Sequence, residues 1–353
     1  KGENMKTKVI RMNLEQIDQE TIEEAGKILQ EGGLVAFPTE TVYGLGGNAL
    51  DENAASKIYQ AKGRPSDNPL IVHIADMKDL DKIVTKVPKK ARMLAEAYWP
   101  GPLTMIFPKS KIVPYGTTGG LQTVAVRMPD HPLALALIRA GGGYVAAPSA
   151  NTSGRPSPTV SEHVEEDMVG KIDMILDGGP VGIGLESTIV DFTEEIPVIL
   201  RPGYINQQML EDVIGTVHMD MGLISSDSEI APKAPGMKYR HYAPKAELVI
   251  IEGTAEHVQK KIKELAKEKI DAGYQVGIIA TDESVGAYSQ GIIKSIGTRK
   301  HEESIAQHLF GVLRDFDDSG VDFIYSESFD TPQMGQAIMN RLLKAAGQQK
   351  IYV

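Results

Sequence analysis

The feature that most constrains this chain is an alternation of helical and strand patterns through its first 215 residues. Apolar residues recur at helical spacing at Ile22, Ala25 and Leu29, and the apolar run Leu34–Pro38 then predicts a buried strand. The same alternation predicts helices at 54–61, 89–98, 132–140 and 161–169, and strands at 70–75, 103–107, 123–128, 144–147, 172–176, 187–191 and 198–200. Because some of these strands follow each other without a helix between them, the pattern predicts an α/β domain with a mixed sheet.

A segment rich in serine and proline, 216–246, interrupts this alternation and is typical of a linker or a long functional loop. A shorter α/β pattern begins at Glu247, with strands expected at 248–251, 275–280 and 321–325 and helices at 255–272, 303–317 and 333–346. We therefore predict a catalytic domain over 5–215, a linker or lid over 216–246, and a small parallel sheet with crossover helices over 247–353.

The net charge of the chain and the motifs that it lacks exclude several classes of function. The chain holds 37 Lys and Arg against 47 Asp and Glu, a net charge of −10, so any phosphate it binds must sit in a local basic site. It has no cysteine, which excludes disulfides and thiol nucleophiles. P-loop, His-Glu-x-x-His and Gly-x-Ser-x-Gly motifs are absent, and the eight histidines lack metal-ligand spacing. Without a signal-peptide pattern or an apolar run of about 18 residues, the sequence predicts a cytoplasmic enzyme.

One group of polar residues follows the first predicted strand, in the stretch Pro38-Thr39-Glu40-Thr41-Val42-Tyr43-Gly44-Leu45-Gly46. Strand ends in α/β sheets are where ligands bind, and glycines let the backbone approach a ligand closely. An ordinary turn capped by threonines is the alternative. Gly44-x-Gly46-x-x-Ala49 also fits a loose dinucleotide fingerprint, but this is a weak match because polar residues separate the strand from the glycines.

Further groups place cations and hydroxyls beside predicted strands. Lys62-Gly63-Arg64 sets two cations around a glycine, which suits phosphate oxygens, although a solvated helix C-terminus is the alternative. Arg127 lies in an otherwise apolar strand and needs an anion, from the protein or from a ligand. The loop Pro148–Ser157 is crowded with hydroxyl and amide groups, and the linker contains Pro-Gly-Met-Lys-Tyr-Arg-His-Tyr-Ala-Pro at 235–244.

Taken together and in this order, the motifs resemble the YrdC/Sua5 family of L-threonylcarbamoyladenylate synthases. The resemblance rests on PTETVYGLG, KGRP followed by NPL, TVAVRMP, APSANTSG followed by PSPT, ESTIVD, RPG and PGMKYRHYAP, and it spans nearly the whole chain. It implies a twisted mixed-sheet YrdC-like domain with a positively lined cavity, and a smaller Rossmann-like C-terminal Sua5 domain. The linker would lie over the cavity.

The resemblance also implies a reaction and its residues. L-threonine, bicarbonate or CO2, and ATP would give threonylcarbamoyl-AMP and pyrophosphate, with Mg²⁺ accompanying ATP and no dedicated protein metal site. The implied L-threonine pocket comprises Thr41, His73, Arg127, Ala147 and Ser187. The implied ATP-binding residues are Arg64, Asn68, Thr123, Ser149, Asn151, Ser157, Arg201 and Tyr242. Lys62 and Arg64 would be the catalytic cations. Tyr239 is the alternative to Tyr242 as the linker tyrosine that contacts the nucleotide.

The resemblance also implies the partners of the reaction, and two rival functions stay open beside it. The product would pass to a separate transferase complex for t6A modification of tRNA position 37, with direct tRNA binding weak or absent and no membrane contact. By itself, His73 is more typical of a core histidine. The resemblance places it in the L-threonine pocket, where we expect it to bind the substrate rather than to act as a general base. An RNA-binding module and an NAD(P)-dependent oxidoreductase are the two alternatives, tested by a tRNA titration and by an NAD(P) titration.

Overall fold

The computed structural model describes residues 5–220, 222 and 228–353, and these residues form two compact units. The first unit contains the described residues up to Ser153, with those of Ser157–Gly182 and Glu186–Tyr239; the second contains Gly154–Pro156, Ile183–Leu185 and Arg240–Val353. The division between Tyr239 and Arg240 falls inside the predicted linker, whose residues 221 and 223–227 lie outside the described residues. The predicted domain limits stay a prediction.

The first unit contains eight α-helices and eleven strands among its described residues. The helices are α1 (Gln19–Gln30), α2 (Glu52–Lys62), α3 (Leu80–Ile83), α4 (Lys89–Tyr98), α5 (Tyr115–Thr118), α6 (Pro132–Ala140), α7 (Ser161–Met168) and α8 (Gln207–Ile214). The strands are β1 (Lys8–Arg11), β2 (Val35–Pro38), β3 (Tyr43–Asn48), β4 (Ile71–His73), β5 (Leu103–Pro108), β6 (Thr123–Arg127), β7 (Val145–Ala146), β8 (Met174–Asp177), β9 (Thr188–Asp191), β10 (Val198–Arg201) and β11 (His218–Met219).

All eleven strands join one sheet in the order β1-β8-β2-β3-β7-β4-β6-β5-β9-β10-β11. The pairs β4–β6 and β5–β9 are parallel, whereas β2–β3 and β5–β6 are antiparallel. The predicted mixed sheet is therefore confirmed.

Apolar side chains and helices cover one face of the sheet along β6, whereas part of the other face carries polar side chains. On β6, Val124 and Val126 point into the larger core, where helices cover the sheet. Ala125 points to the opposite face and packs in a small cluster with Ile71, Ile106, Ile189 and Leu200. Because side chains alternate along a strand, Arg127 and His73 lie on this second face.

Strand β3 corrects one expectation of the sequence. The sequence predicts no strand for the YGLGGN segment, but the segment forms β3, which pairs antiparallel with β2. A Cβ at Gly46 would lie 2.9 Å from both the Phe37 ring and Val145, so this position requires glycine for close strand packing. Gly44 and Gly46 therefore do not form the strand-to-helix turn of a dinucleotide site.

The second unit is a five-stranded, fully parallel sheet with crossover helices, as predicted. Its strands are β12 (Glu247–Glu252), β13 (Val276–Ala280), β14 (Ile292–Ser295), β15 (Phe323–Glu327) and β16 (Lys350–Tyr352), in the order β14-β13-β15-β12-β16. The helices are α9 (Ala255–Asp271), α10 (Glu302–Ser319) and α11 (Gly335–Ala345). The sequence missed β14 and β16, which are short strands at the two edges of the sheet.

Candidate active site

Arg127 lies at the end of β6 and is the centre of the polar face of the first unit. Its side chain is almost fully buried, and its guanidinium forms an ion pair with Glu40. It also donates hydrogen bonds to the Thr41 hydroxyl at 3.0 Å and to the Gly101 carbonyl at 3.3 Å. Burial, together with the positive charge of Arg201, lowers the pKa of Arg127 to about 9. The anion that the sequence predicts for this buried arginine is therefore the carboxylate of Glu40, a residue of the polar stretch 38–46.

A second arginine, Arg201, organises hydroxyl groups beside the first. Its Nε donates to the Ser187 carbonyl at 2.9 Å, and Nη2 donates to the Ser187 hydroxyl at 3.2 Å. The Ser187 hydroxyl also lies 2.7 Å from that of Thr104, and all three side chains are buried. Two neighbouring buried guanidinium groups surrounded by hydroxyls form an environment suited to a small anionic, hydroxyl-bearing ligand.

His73 is held as a neutral ring on the same face. Its Nδ1 lies 2.9 Å from the Ile71 carbonyl, and because a carbonyl only accepts, Nδ1 carries the hydrogen. Burial lowers the pKa of His73 to about 4, although the carbonyls of Ile71 and Val145 oppose the shift. Near neutral pH the ring is therefore uncharged, and its Nε2 can act as a hydrogen-bond acceptor.

Lys62 joins the predicted phosphate motif to the polar loop that follows Pro148. Its Nζ donates to the carbonyls of Ser149 and Asn151, at 2.5 and 2.6 Å. The Ser153 amide in turn donates to the Lys62 carbonyl at 2.8 Å. Lys62, predicted from sequence to meet phosphate, thus fixes the path of the Ser149–Asn151 loop, and contact with phosphate remains a prediction.

Arg64 shapes the turn that follows α2. Its Nε and Nη2 donate to the carbonyls of Asn68 and Pro69 at 3.2 and 2.9 Å, and the side chain is buried. Within this turn, the Asn68 side-chain oxygen is buried and has no hydrogen-bond partner among residues 5–220, 222 and 228–353. A buried acceptor without a partner costs stability unless a ligand supplies a donor.

Comparison with known proteins matches both parts of the chain. A model of the Sua5, YciO and YrdC family, described as telomere recombination, matches residues 27–203. The model of the threonylcarbamoyl-AMP synthase C-terminal domain matches residues 205–347. Threonylcarbamoyl-AMP synthase of Bacillus subtilis is 53% identical over 331 residues, which cover 94% of each chain. The chain belongs to the Sua5/YrdC enzyme family.

A sequence and a crystal structure from Pyrococcus abyssi are also similar to this chain. The P. abyssi threonylcarbamoyl-AMP synthase is 49% identical over 339 residues, covering 96% of this chain and 98% of the relative. The crystal structure of P. abyssi Sua5 complexed with L-threonine has a TM-score of 0.92 and 48% identity, covering 98% of this chain and 100% of that one. The resemblance drawn from the motifs is therefore confirmed at the level of the family.

The remaining predicted residues occupy different surroundings. Thr123 begins β6 on the polar face, Ala147 follows β7, and the Ser157 hydroxyl donates to the Glu186 carboxylate. Tyr242 belongs to the second unit, where its ring stacks on Phe310 at 5.0 Å with a left-handed backbone. The assignment of this tyrosine to ATP stays a prediction.

Sequence reasoning missed three residues that complete these groups. Glu40 forms an ion pair with Arg127, and the Thr104 hydroxyl lies 2.7 Å from that of Ser187. Asp67 holds two linker side chains by contacts described below. Glu40 lies in a motif that was singled out, so the need of a buried arginine for an anion could have identified it. Thr104 gave no such signal, because an isolated threonine in a strand is ordinary.

The described residues lack a metal-binding cluster and a membrane-spanning helix. Among the described residues, no group of three His, Cys, Asp or Glu side chains could hold a metal ion. Within 5–220, 222 and 228–353, no helix combines the length and apolarity needed to cross a bilayer.

Proposed function

We propose that this chain synthesises L-threonylcarbamoyladenylate from L-threonine, bicarbonate or CO2, and ATP, with release of pyrophosphate. Membership of the Sua5/YrdC family supports the reaction class, since similar relatives carry the name threonylcarbamoyl-AMP synthase. The t6A modification of tRNA position 37, through a separate transferase complex, would consume the product. We expect direct tRNA binding to be weak or absent.

The observation that carries this proposal is the Arg127 group on the polar face of the sheet. A guanidinium can bind an amino-acid carboxylate through two parallel hydrogen bonds, and Glu40 beside it offers an acceptor for the amine. Neutral His73 and the hydroxyls of Thr41 and Ser187 provide acceptors and donors for the threonine hydroxyl. We therefore assign the L-threonine pocket to this face, with Ala147 at its edge.

The chemistry would require two anions to meet. The threonine amine and CO2 form a carbamate, whose oxygen attacks the α-phosphorus of ATP while the bond to the bridging oxygen of pyrophosphate breaks. Fixed positive charges reduce the repulsion between the reactants and hold them in line. Lys62, Arg64 and Arg201 would supply these charges, and ATP would enter as its Mg²⁺ complex. Asn68, Thr123, Ser149, Asn151 and Ser157 would complete the nucleotide contacts.

We further propose that residues 232–244 act as a lid over this site. The segment concentrates aromatic and cationic side chains between prolines, whereas a passive tether is more often rich in glycine and serine. Closure would protect the carbamate and the acyl-adenylate from water, with Tyr242 or Tyr239 against the nucleotide.

The pocket assignment is tested with a pair of neutralising variants. Arg127→Gln alone would leave the Glu40 carboxylate buried without its partner, so Arg127 is replaced in the double change Glu40→Gln/Arg127→Gln. Glu40→Gln alone, which keeps the Arg127 guanidinium available to the L-threonine carboxylate, is the variant for comparison. The measurement is pyrophosphate release as L-threonine is varied. We expect the double variant to raise KM for L-threonine at least tenfold over the control, which corresponds to the loss of roughly 1.5–3 kcal/mol from a charged hydrogen bond. Equal KM values would contradict the assignment.

A further inference from the structure

Residues 232–239, which we call the strap, pack onto the polar face of the sheet in the first unit. Ala234 is fully buried in the cluster formed with Ile71, Ile106, Ala125, Ile189 and Leu200, and Met237 packs against the same cluster. Lys233 adds ion pairs to Asp191 at 3.2 Å and to Glu194 at 3.1 Å. In this conformation, the strap therefore lies on the face that carries His73 and Arg127.

The end of the strap converges on one carboxylate, that of Asp67. Lys238 Nζ lies 2.9 Å from Oδ2, and the Tyr239 hydroxyl donates to Oδ1. The Lys238 side chain is only 5% exposed, and its ammonium also lies 5.2 Å from the centre of the Tyr239 ring. Burial raises the pKa of Asp67, but the hydrogen bonds from Tyr239 and Lys238 outweigh this and hold it below its ordinary value. The carboxylate is thus ionised when it holds both side chains.

Asp67 belongs to the turn that Arg64 organises. Arg64 fixes the carbonyls of the two residues that follow Asp67. On the other side, a Cβ at Gly119 would lie 2.8 Å from the Asp67 carbonyl oxygen, and Gly119 has a φ of +63°. The backbone of Asp67 is therefore in close contact with Gly119 in a turn that Arg64 organises, and its carboxylate gives the strap a point of attachment on that turn.

We infer that Asp67 is a positioning residue, which fastens the strap to the turn carrying Arg64 and Asn68 and so couples strap position to nucleotide binding. The fastening itself rests on the contacts above, whereas the coupling to ATP rests on the proposed function. A simple surface ion pair would stabilise the fold slightly and affect no ligand. Asp67 differs because both of its partners come from the strap while its own backbone belongs to the turn.

The test uses the full chain with Asp67→Ala, Asp67→Asn and Asp67→Glu, and with Ser66→Ala as the matched control on the same turn. Hydrogen exchange of 232–239 without ligand measures the fastening. Calorimetric titration with MgATP, and separately with L-threonine, measures the coupling without requiring turnover. We expect Asp67→Ala to speed exchange across the strap and to weaken MgATP binding about fivefold, the upper range for a partly exposed ion pair. L-threonine affinity should change less than twofold.

The conservative variants and a double variant make the inference falsifiable. Asp67→Glu should restore part of the MgATP affinity, Asp67→Asn should fall between wild type and alanine, and Lys238→Ala should add little to Asp67→Ala. Exchange in Asp67→Ala equal to that in Ser66→Ala would overturn the fastening. Faster exchange with unchanged MgATP affinity would overturn the coupling. A wild-type chain that binds no MgATP would instead contradict the proposed function, while the exchange result would still decide the fastening.

Discussion

Acid should destabilise the first unit through His73, and the size of the effect follows from its buried, neutral ring. The folded-state pKa is about 4, against an ordinary value of 6.5. Below pH 6.5, His73 binds a proton in the unfolded chain but stays neutral in the folded unit. The free energy of unfolding therefore falls as the pH falls towards 4. This contribution is about 2 kcal/mol at pH 5 and about 3 kcal/mol at pH 4, and it is absent above pH 7.

The perturbation that isolates this effect is His73→Asn. Asparagine places an amide N–H donor near the position of Nδ1, so it can keep the hydrogen bond to the Ile71 carbonyl without a titrating group. The smaller side chain lowers stability by an amount that does not depend on pH. The difference in unfolding free energy between wild type and variant should therefore shrink or reverse by about 2 kcal/mol between pH 7 and pH 5.

The assay is urea unfolding of the full chain followed by the fluorescence of Trp99. It is the single tryptophan of the sequence, it is buried in the first unit, and it therefore reports on the unit that contains His73. His257→Asn, at an exposed histidine of the second unit, is the control and should follow wild type at both pH values. If the difference in unfolding free energy between wild type and His73→Asn stays constant from pH 7 to pH 5, His73 is not held neutral in the folded chain and the prediction is wrong.

Three further predictions concern activity. Lys62→Ala and Arg64→Ala should each slow adenylate formation at least tenfold, because each charged contact to phosphate contributes roughly 1.5–3 kcal/mol. Circular dichroism should show that both variants are folded. A double variant with full turnover would exclude a role of these residues in binding phosphate. L-valine should be a far poorer substrate than L-threonine in competition assays, and Ser187→Ala should narrow the gap, because a site built for a hydroxyl rejects the analogue lacking it. Hydrogen exchange across 228–244 should slow when ATP and L-threonine are added together, and unchanged exchange would argue against a lid.

Elements with a complete local signal could be predicted from the sequence. The helices at 89–98 and 132–140 have the predicted ends, because a proline lies beside the first turn of each and the apolar positions recur on one face. Asp51 caps α2, and its carboxylate accepts a hydrogen bond from the Asn53 amide at 2.9 Å. Strand β3 could not be predicted in this way, because its glycines are explained only by neighbouring strands.

The contacts in the candidate site were even harder to predict, because they join residues that are distant in the sequence. A buried arginine at position 127 requires an anion, so the need for a partner followed from the sequence, but Glu40 is 87 residues away along the chain. Asp67 and Lys238 are separated by 171 residues, and neither residue alone indicates the other. Local patterns determine helices and strands, whereas the pairing of distant charges depends on how the sheet assembles.

The most direct test of the proposed function is the fate of labelled bicarbonate. The full chain is incubated with MgATP, L-threonine and ¹³C-bicarbonate, and the products are separated and weighed by mass spectrometry, with each substrate omitted in turn. The proposal predicts an adenylate that contains threonine and one ¹³C atom, formed together with one pyrophosphate and only when all three substrates are present. An adenylate without the label, or pyrophosphate release that does not depend on L-threonine, would contradict it.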